Sequence, residues 1–180
     1  MMLYVNGDSH TTGAEATNQY VVAGDDPKLT HLGHLPHPEN LNVSWGKLLS
    51  ISLRVGFCCG ALSNNTVDKI INDTRAYIQQ KGAEDFIIIQ WPAILDDEDK
   101  IFSFHEELTQ QNIKHVFFNS NQEFGKDRFW NNCFIRVPFE TYIKNEGIDT
   151  VAQNSIHFGK DGHSVWNRLL INFIITNKFI

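Results

Sequence analysis

Six consecutive residues, Phe86-Ile87-Ile88-Ile89-Gln90-Trp91, constrain the fold of this chain more than any other stretch. They form a short, unbroken, β-branched run that Pro92 terminates. Such a run reads as a strand buried on both faces, the kind found in parallel sheets covered by helices. Similar runs occur at Leu3–Val5, Arg54–Cys59 and Ile113–Phe118, and Arg54–Cys59 is also expected to be buried on both faces. Helical periodicity fills the intervals. Thr66 to Lys81 places Val67, Ile70, Ile71, Thr74 and Ile78 on one face and ends at Gly82. Trp45, Leu48, Leu49 and Ser52 share a face behind Ser44, a plausible N-cap. Ile101, Phe104 and Leu108 follow the acidic run Asp96 to Asp99, which suits a solvated helix start. Pro138 to Asn145 reads as a short helix, and Cys133 to Val137 as either a short strand or an extended connection. Val165, Trp166, Leu169, Leu170, Phe173 and Ile174 mark a closing helix that begins at Asp161 or Gly162. Strands alternating with helices predict an α/β sandwich around a parallel sheet.

With 180 residues and no internal linker or repeat, residues 1–180 read as one domain, long enough to bury a core that thirteen Phe and four Trp can fill. The net charge of −6 and the lack of a Lys/Arg stripe argue against nucleic-acid partners. No apolar run reaches membrane-spanning length and no signal peptide precedes the first strand, so no membrane partner and a cytoplasmic location are expected. The three cysteines, two of them adjacent (Cys58, Cys59), read as free thiols rather than a disulfide framework.

The chemistry concentrates at the two ends. Tyr4-Val5-Asn6-Gly7-Asp8-Ser9-His10-Thr11-Thr12-Gly13 takes a short strand straight into a tight turn. Ser9 then stands where strand gives way to helix, beside outward-pointing backbone N–H groups that can hold an oxyanion. A serine there is ordinarily only a cap; with a base elsewhere in the chain it is a candidate nucleophile. Near the other end lies Asn154-Ser155-Ile156-His157-Phe158-Gly159-Lys160-Asp161-Gly162-His163.

Together these two motifs resemble the GDSL/SGNH hydrolase family, which pairs an N-terminal Gly-Asp-Ser with a C-terminal Asp-x-x-His and a Gly five residues after that His. His157 and Gly162 keep this spacing, whereas the acidic position holds Asn154. The resemblance spans essentially the whole chain, strongest at its ends, and implies a flavodoxin-like three-layer α/β/α sandwich. It also implies a serine esterase that forms an acyl-enzyme on Ser9, with His157 as base, on a small-molecule or carbohydrate ester such as an O-acetylated sugar. The compact form is similar to small bacteriophage-encoded members, for which a virion-associated location is open.

In such a fold the loops at the carboxyl ends of the strands meet at one edge. That edge would gather Ser9, Gly60 to Asn65, Gln90-Trp91 and the His157 segment. The oxyanion hole is assigned to the Ser9 backbone N–H, the Gly60 N–H and the Asn64 side-chain amide, with Asn65 able to exchange roles with Asn64. His10, Gln90 and Trp91 are placed at the substrate pocket. Asp8 reads as an acceptor that stabilises the loop. The orienting third member is Asn154, or else Asp161, Asp149, or a backbone carbonyl assisting a Ser–His dyad. An Asp-to-Asn change in the serine-protease triad costs about 10⁴ in rate, so a catalytically inactive binding or assembly protein on the same fold is the alternative.

The stretch from Thr11 to Asn42 is a long excursion over the active-site edge. His31, His34 and His37 lie in it, but Pro36 and Pro38 break any helix, and a lid or surface loop is expected rather than a metal site. His115 reads as a buried, satisfied strand residue. No cofactor is expected: the phosphate-binding and dinucleotide fingerprints are missing, as is the Gly-x-Ser-x-Gly elbow.

Overall fold

Four strands, β1 (Met2–Asn6), β2 (Gly56–Cys59), β3 (Phe86–Trp91) and β4 (His115–Asn119), pair in parallel in the order β2-β1-β3-β4. The computed structural model from which this is drawn describes residues 1–82, 85–92, 98–125, 127–153 and 155–180. The helices are α1 (Ser9–Thr12), α2 (Pro38–Val43), α3 (Trp45–Leu53), α4 (Val67–Lys81), α5 (Glu98–Gln110), α6 (Phe139–Asn145) and α7 (Lys160–Thr176).

The apolar residues of the strands alternate between two layers. Leu3, Val5, Phe86, Ile88, Val116 and Phe118 face Trp45 and Leu49 of α3, Phe139 of α6 and Trp166 of α7. Tyr4, Ile87, Ile89, Trp91 and Phe117 face Ile70 of α4 and Ile101, Phe104 and Leu108 of α5. Helices on both faces of a parallel sheet make the expected three-layer α/β/α sandwich, and the strand order is the first four places of a flavodoxin-like sheet. Phe134 makes a single parallel bridge to Phe117 on the outer side of β4. Thus the 133–137 segment is an extended connection where a fifth strand would lie.

Local chemistry sets most boundaries. Ser44 caps α3 by accepting from the Lys47 N–H, and Thr66 caps α4 by accepting from the Lys69 N–H. The expected strand at Arg54–Cys59 is corrected at both its start and its burial. Arg54 takes a left-handed φ of 55° to terminate α3, so β2 begins only at Gly56. Because β2 is an edge strand, Phe57, Cys58 and Cys59 are half-buried rather than enclosed. All three cysteines are free thiols. The acidic run at 96–99 lies partly outside the described residues; its described end, Glu98 and Asp99, opens α5.

The Thr11–Asn42 excursion is ordered by short-range bonds, with 3₁₀ turns at Ala23–Asp25 and Thr30–Leu32. Buried Asn40 ties it together, accepting from Thr17 and donating to Asn18 and the Tyr20 carbonyl. His31 and His34 are exposed, while His37 is buried, stacked on Tyr20 and bonded to Asn18. Among the described residues these three histidines form no ligand set. No helix is long and apolar enough to cross a membrane among the described residues.

Candidate active site

β1 ends at Asn6, and the next three residues turn sharply. Asn6 is fully buried, and its side chain anchors the turn from below: Nδ2 donates to Tyr4, Thr74 and the Ile70 carbonyl, while Oδ1 accepts from the Gly7 N–H. Gly7 is required by close approach, since a Cβ there would stand 2.3 Å from Thr11 Oγ1 and 2.7 Å from the Gln90 carbonyl oxygen. Asp8 then caps α1, its carboxylate accepting from the His10 N–H at 2.9 Å. Burial raises the Asp8 carboxyl to about 6 against the hydrogen bonds that lower it. The turn therefore presents Ser9 at the carboxyl edge of the sheet, beside the central pair β1 and β3.

His157 reaches the same point from a different direction. Thr150 and Phe158 form an antiparallel bridge, and the Val151 N–H donates to the His157 carbonyl. This small loop leads into α7, whose tight packing explains Gly162: a Cβ there would meet Phe158 Cβ at 2.7 Å. Ser9 Oγ and His157 Nε2 lie 2.9 Å apart across 148 residues of sequence.

The partner of the other ring nitrogen is Glu15. Its Oε2 accepts from His157 Nδ1 at 2.5 Å and from Ser155 Oγ at 2.7 Å, and Ser155 Oγ accepts in turn from the His157 N–H at 2.9 Å. With Nδ1–H committed to the carboxylate, Nε2 is left as the acceptor for the Ser9 hydroxyl; the proton positions follow from this network. Partial burial works to raise the Glu15 carboxyl, but the hydrogen bonds from His157 and Ser155, and the charge of His157, prevail and lower it. Glu15 holds a left-handed φ of 61° immediately after the left-handed Gly13 turn. The Ala16 carbonyl accepts from the Lys160 N–H, which docks this turn against the start of α7.

Several expected assignments change. Asn154 lies outside the described residues, and the position given to it is filled by Glu15. Asp149 and Asp161 are exposed and do not hold His157 Nδ1. The Gly60 N–H donates to the Val5 carbonyl at 2.9 Å, extending the β1–β2 ladder, so it is unavailable to an oxyanion. Asn64 is exposed in a left-handed turn with φ of 60°. Buried Asn65 is the amide that reaches the Ser9 turn, its Nδ2 donating to the Gly7 carbonyl at 3.0 Å. Its other hydrogen makes only a 3.5 Å contact with Asn6 Oδ1. Gln90 lies beneath the turn rather than in a pocket, its Oε1 accepting from Thr11 Oγ1 and from the Asp8 N–H. Trp91 is fully buried, edge-on to Phe104 and Phe117. His10 is also enclosed, 3% exposed, between the rings of Phe139 and His157 and 3.6 Å from Glu140. Desolvation and the neighbouring His157 lower it to about 4, so its imidazole is neutral at physiological pH. His163 is buried too; it accepts from the Trp45 N–H and is lowered to about 3, first by desolvation.

Glu15 left a faint trace in the sequence. It and Asp8 are the only acids before Asp25, and it closely follows a glycine turn. Nothing in that spacing shows that the turn folds back onto a histidine loop 142 residues away.

No protein-family profile matches the sequence, and no curated relative matches it. Among solved structures, the chain is similar to a family two carbohydrate esterase from Cellvibrio japonicus (TM-score 0.57, 14% identity, 99% of this chain and 62% of that one). It is also similar to a lipolytic protein of the G-D-S-L family from Veillonella parvula (TM-score 0.55, 12% identity, 95% of this chain and 97% of that one). A third likeness is to a lipolytic protein of that family from Desulfitobacterium hafniense (TM-score 0.57, 13% identity, 96% and 98%). The chain spans less than two thirds of the Cellvibrio esterase. Its fold is that of the GDSL/SGNH hydrolases.

Proposed function

We propose that this protein is a serine ester hydrolase with Ser9 as nucleophile, His157 as general base and Glu15 as the orienting carboxylate. The observation that carries the reading is the continuous relay from Ser9 Oγ through the His157 ring to Glu15 Oε2, at 2.9 and 2.5 Å. Attack of Ser9 Oγ on the ester carbonyl passes the hydroxyl proton to His157 Nε2. The adjacent Glu15 carboxylate stabilises the imidazolium that results. Among the described residues the Ser9 N–H has no protein acceptor, so it is placed to donate to the tetrahedral oxyanion, with the weakly engaged Asn65 hydrogen as a second donor. Collapse expels the alcohol, which takes its proton from His157, and leaves an acyl-Ser9 ester. A water molecule, deprotonated by the same imidazole, then hydrolyses that ester.

Asn154 at the family's acid position, like Gln90-Trp91-Pro92 in the third block, favours an inactive binding or assembly protein on the same fold; the Glu15 carboxylate on His157 supports the enzyme instead. An O-acetylated carbohydrate is the favoured substrate class, supported by the likeness to the Cellvibrio carbohydrate esterase.

A fluorophosphonate probe tests the reading. It should label Ser9, and Ser9→Ala should abolish both labelling and p-nitrophenyl acetate hydrolysis. A folded protein that neither labels nor turns over acetyl esters would instead be a binding protein.

A further inference from the structure

On the sheet face opposite α7, a second cluster of reactive side chains has no part in the ester chemistry. His105 of α5, His115 of β4 and Cys133 bring two imidazoles and a thiol together, with their ligand atoms all within 4.8 Å of one another. His115 pairs with Ile87 near the start of β3, whereas the Ser9 turn follows Asn6, which pairs with Ile89. The cluster therefore sits toward the amino ends of the strands, away from the carboxyl edge that carries Ser9.

The arrangement is built rather than incidental. His115 is 2% exposed, and its Nδ1 stands 2.8 Å from the Ile113 carbonyl oxygen. That carbonyl accepts the Nδ1–H and leaves the Nε2 lone pair directed into the cluster, as an outer carbonyl does for metal-bound histidines. His105 Nδ1 faces the same lone pair at 2.7 Å. Cys133 is fixed by its backbone: its carbonyl accepts from the Phe117 N–H and its N–H donates to Asn131 Oδ1, both at 2.8 Å. The rings of Phe117 and Phe134 lie 4.9 Å from those of His115 and His105 respectively, enclosing the cluster in apolar surroundings.

We propose that His105, His115 and Cys133 bind a zinc ion, with water completing the coordination. Two imidazoles and one thiolate are a zinc ligand set, and tetrahedral geometry with Zn–N of about 2.0–2.1 Å and Zn–S of about 2.3 Å separates ligand atoms by roughly 3.3–3.6 Å. From their 2.7 Å contact the two imidazole nitrogens need to part by about 0.6 Å, and the thiol, within 4.8 Å of them, to close in by up to about 1.2 Å. His105 and Cys133 are only half-buried, so both can turn without disturbing the sheet. Binding replaces the His105–His115 hydrogen bond. The His105 proton is taken up at Nε2 of the same ring, and the Cys133 thiol proton is released to solvent. The ion would tie α5, β4 and the 131–134 turn into one unit, a stabilising role separate from the esterase site.

Chelator-stripped protein titrated with Co²⁺, and then with Zn²⁺, tests this. One cobalt per chain should bind with a thiolate-to-cobalt charge-transfer band, zinc should displace it, and zinc should raise the thermal midpoint. Cys133→Ser should abolish the band and weaken zinc binding by more than about 100-fold, beyond the 10–100-fold typical of losing an outer-shell partner. His105→Gln should weaken zinc binding similarly, and both variants should keep wild-type ester turnover. No stoichiometric binding to the wild-type protein would overturn the site. So would a band or zinc affinity that survives Cys133→Ser, because the ion would then be held by Cys58, Cys59 or other histidines.

Discussion

The carboxylate of Glu15 lies 2.5 Å from Nδ1 of His157, although 142 residues separate them in sequence. In the proposed relay this contact places the acid on the turn that carries Ser9 rather than on the histidine's own loop.

Glu15→Gln is expected to lower kcat for an acetyl ester by about 10²–10⁴, with KM little changed, because the amide no longer stabilises the imidazolium. Asn154→Asp should leave the rate within about twofold of wild type, since His157 Nδ1 is already engaged. Steady-state kinetics on the two variants side by side decide the matter. A rate gain from Asn154→Asp with Glu15→Gln unimpaired would return the acid to the histidine loop.

Asn65→Ala should reduce kcat by about 10²–10³, the usual loss for one oxyanion donor. Asn64→Ala, at an exposed position, should stay close to wild type. The reverse ranking, with Asn64 the costlier residue, would restore the donor assigned from sequence.

Acid should destabilise the fold through histidines buried in neutral form. His10 and His163 are lowered to about 4 and about 3 by desolvation, while in the unfolded chain they titrate near 6.5. Between those values the unfolded state binds more protons than the folded one. The stability they contribute is therefore complete above about pH 6.5 and is lost as pH falls toward 4 and 3. Urea unfolding midpoints from pH 7.5 to 4 should decline over this window, and less steeply in His10→Gln. A slope left unchanged by His10→Gln would show that ring to be solvated.

Asp8 has the opposite dependence. Its folded-state value, raised to about 6 by burial, exceeds the usual unfolded value of about 3.9. Ionisation thus costs stability as pH rises from about 4 through 6. Asp8→Asn keeps an N-cap acceptor and should raise the thermal midpoint at pH 7.5, with the gain fading by pH 4. Equal midpoints at both pH values would mean that Asp8 is not desolvated.

The sheet was legible because its strands carry unbroken apolar runs such as Phe86–Ile89, whose pattern depends on burial alone. Ser9 and His157 were legible because each lies in a motif of fixed local spacing. Glu15 was not, since its role depends on a left-handed turn folding against a distant loop, and neither event has a local pattern. Gly60 and Trp91 depart from their expected places for a related reason. A position at the end of a strand says which edge a residue occupies, but not whether its N–H continues a ladder or its ring turns into the core. Asn64 and Asn65 differ by one residue, and only the left-handed backbone at Asn64 decides which amide points inward.

In the proposed relay the Ser9 hydroxyl and the Glu15 carboxylate both arise within the first fifteen positions, whereas the imidazole comes from His157. Two fragments divided at a surface loop between Asn18 and Thr150 would thus each be inert, one holding an unactivated alcohol and the other an unpartnered base. Recovery of ester turnover on mixing them would report directly on reassembly of the sheet.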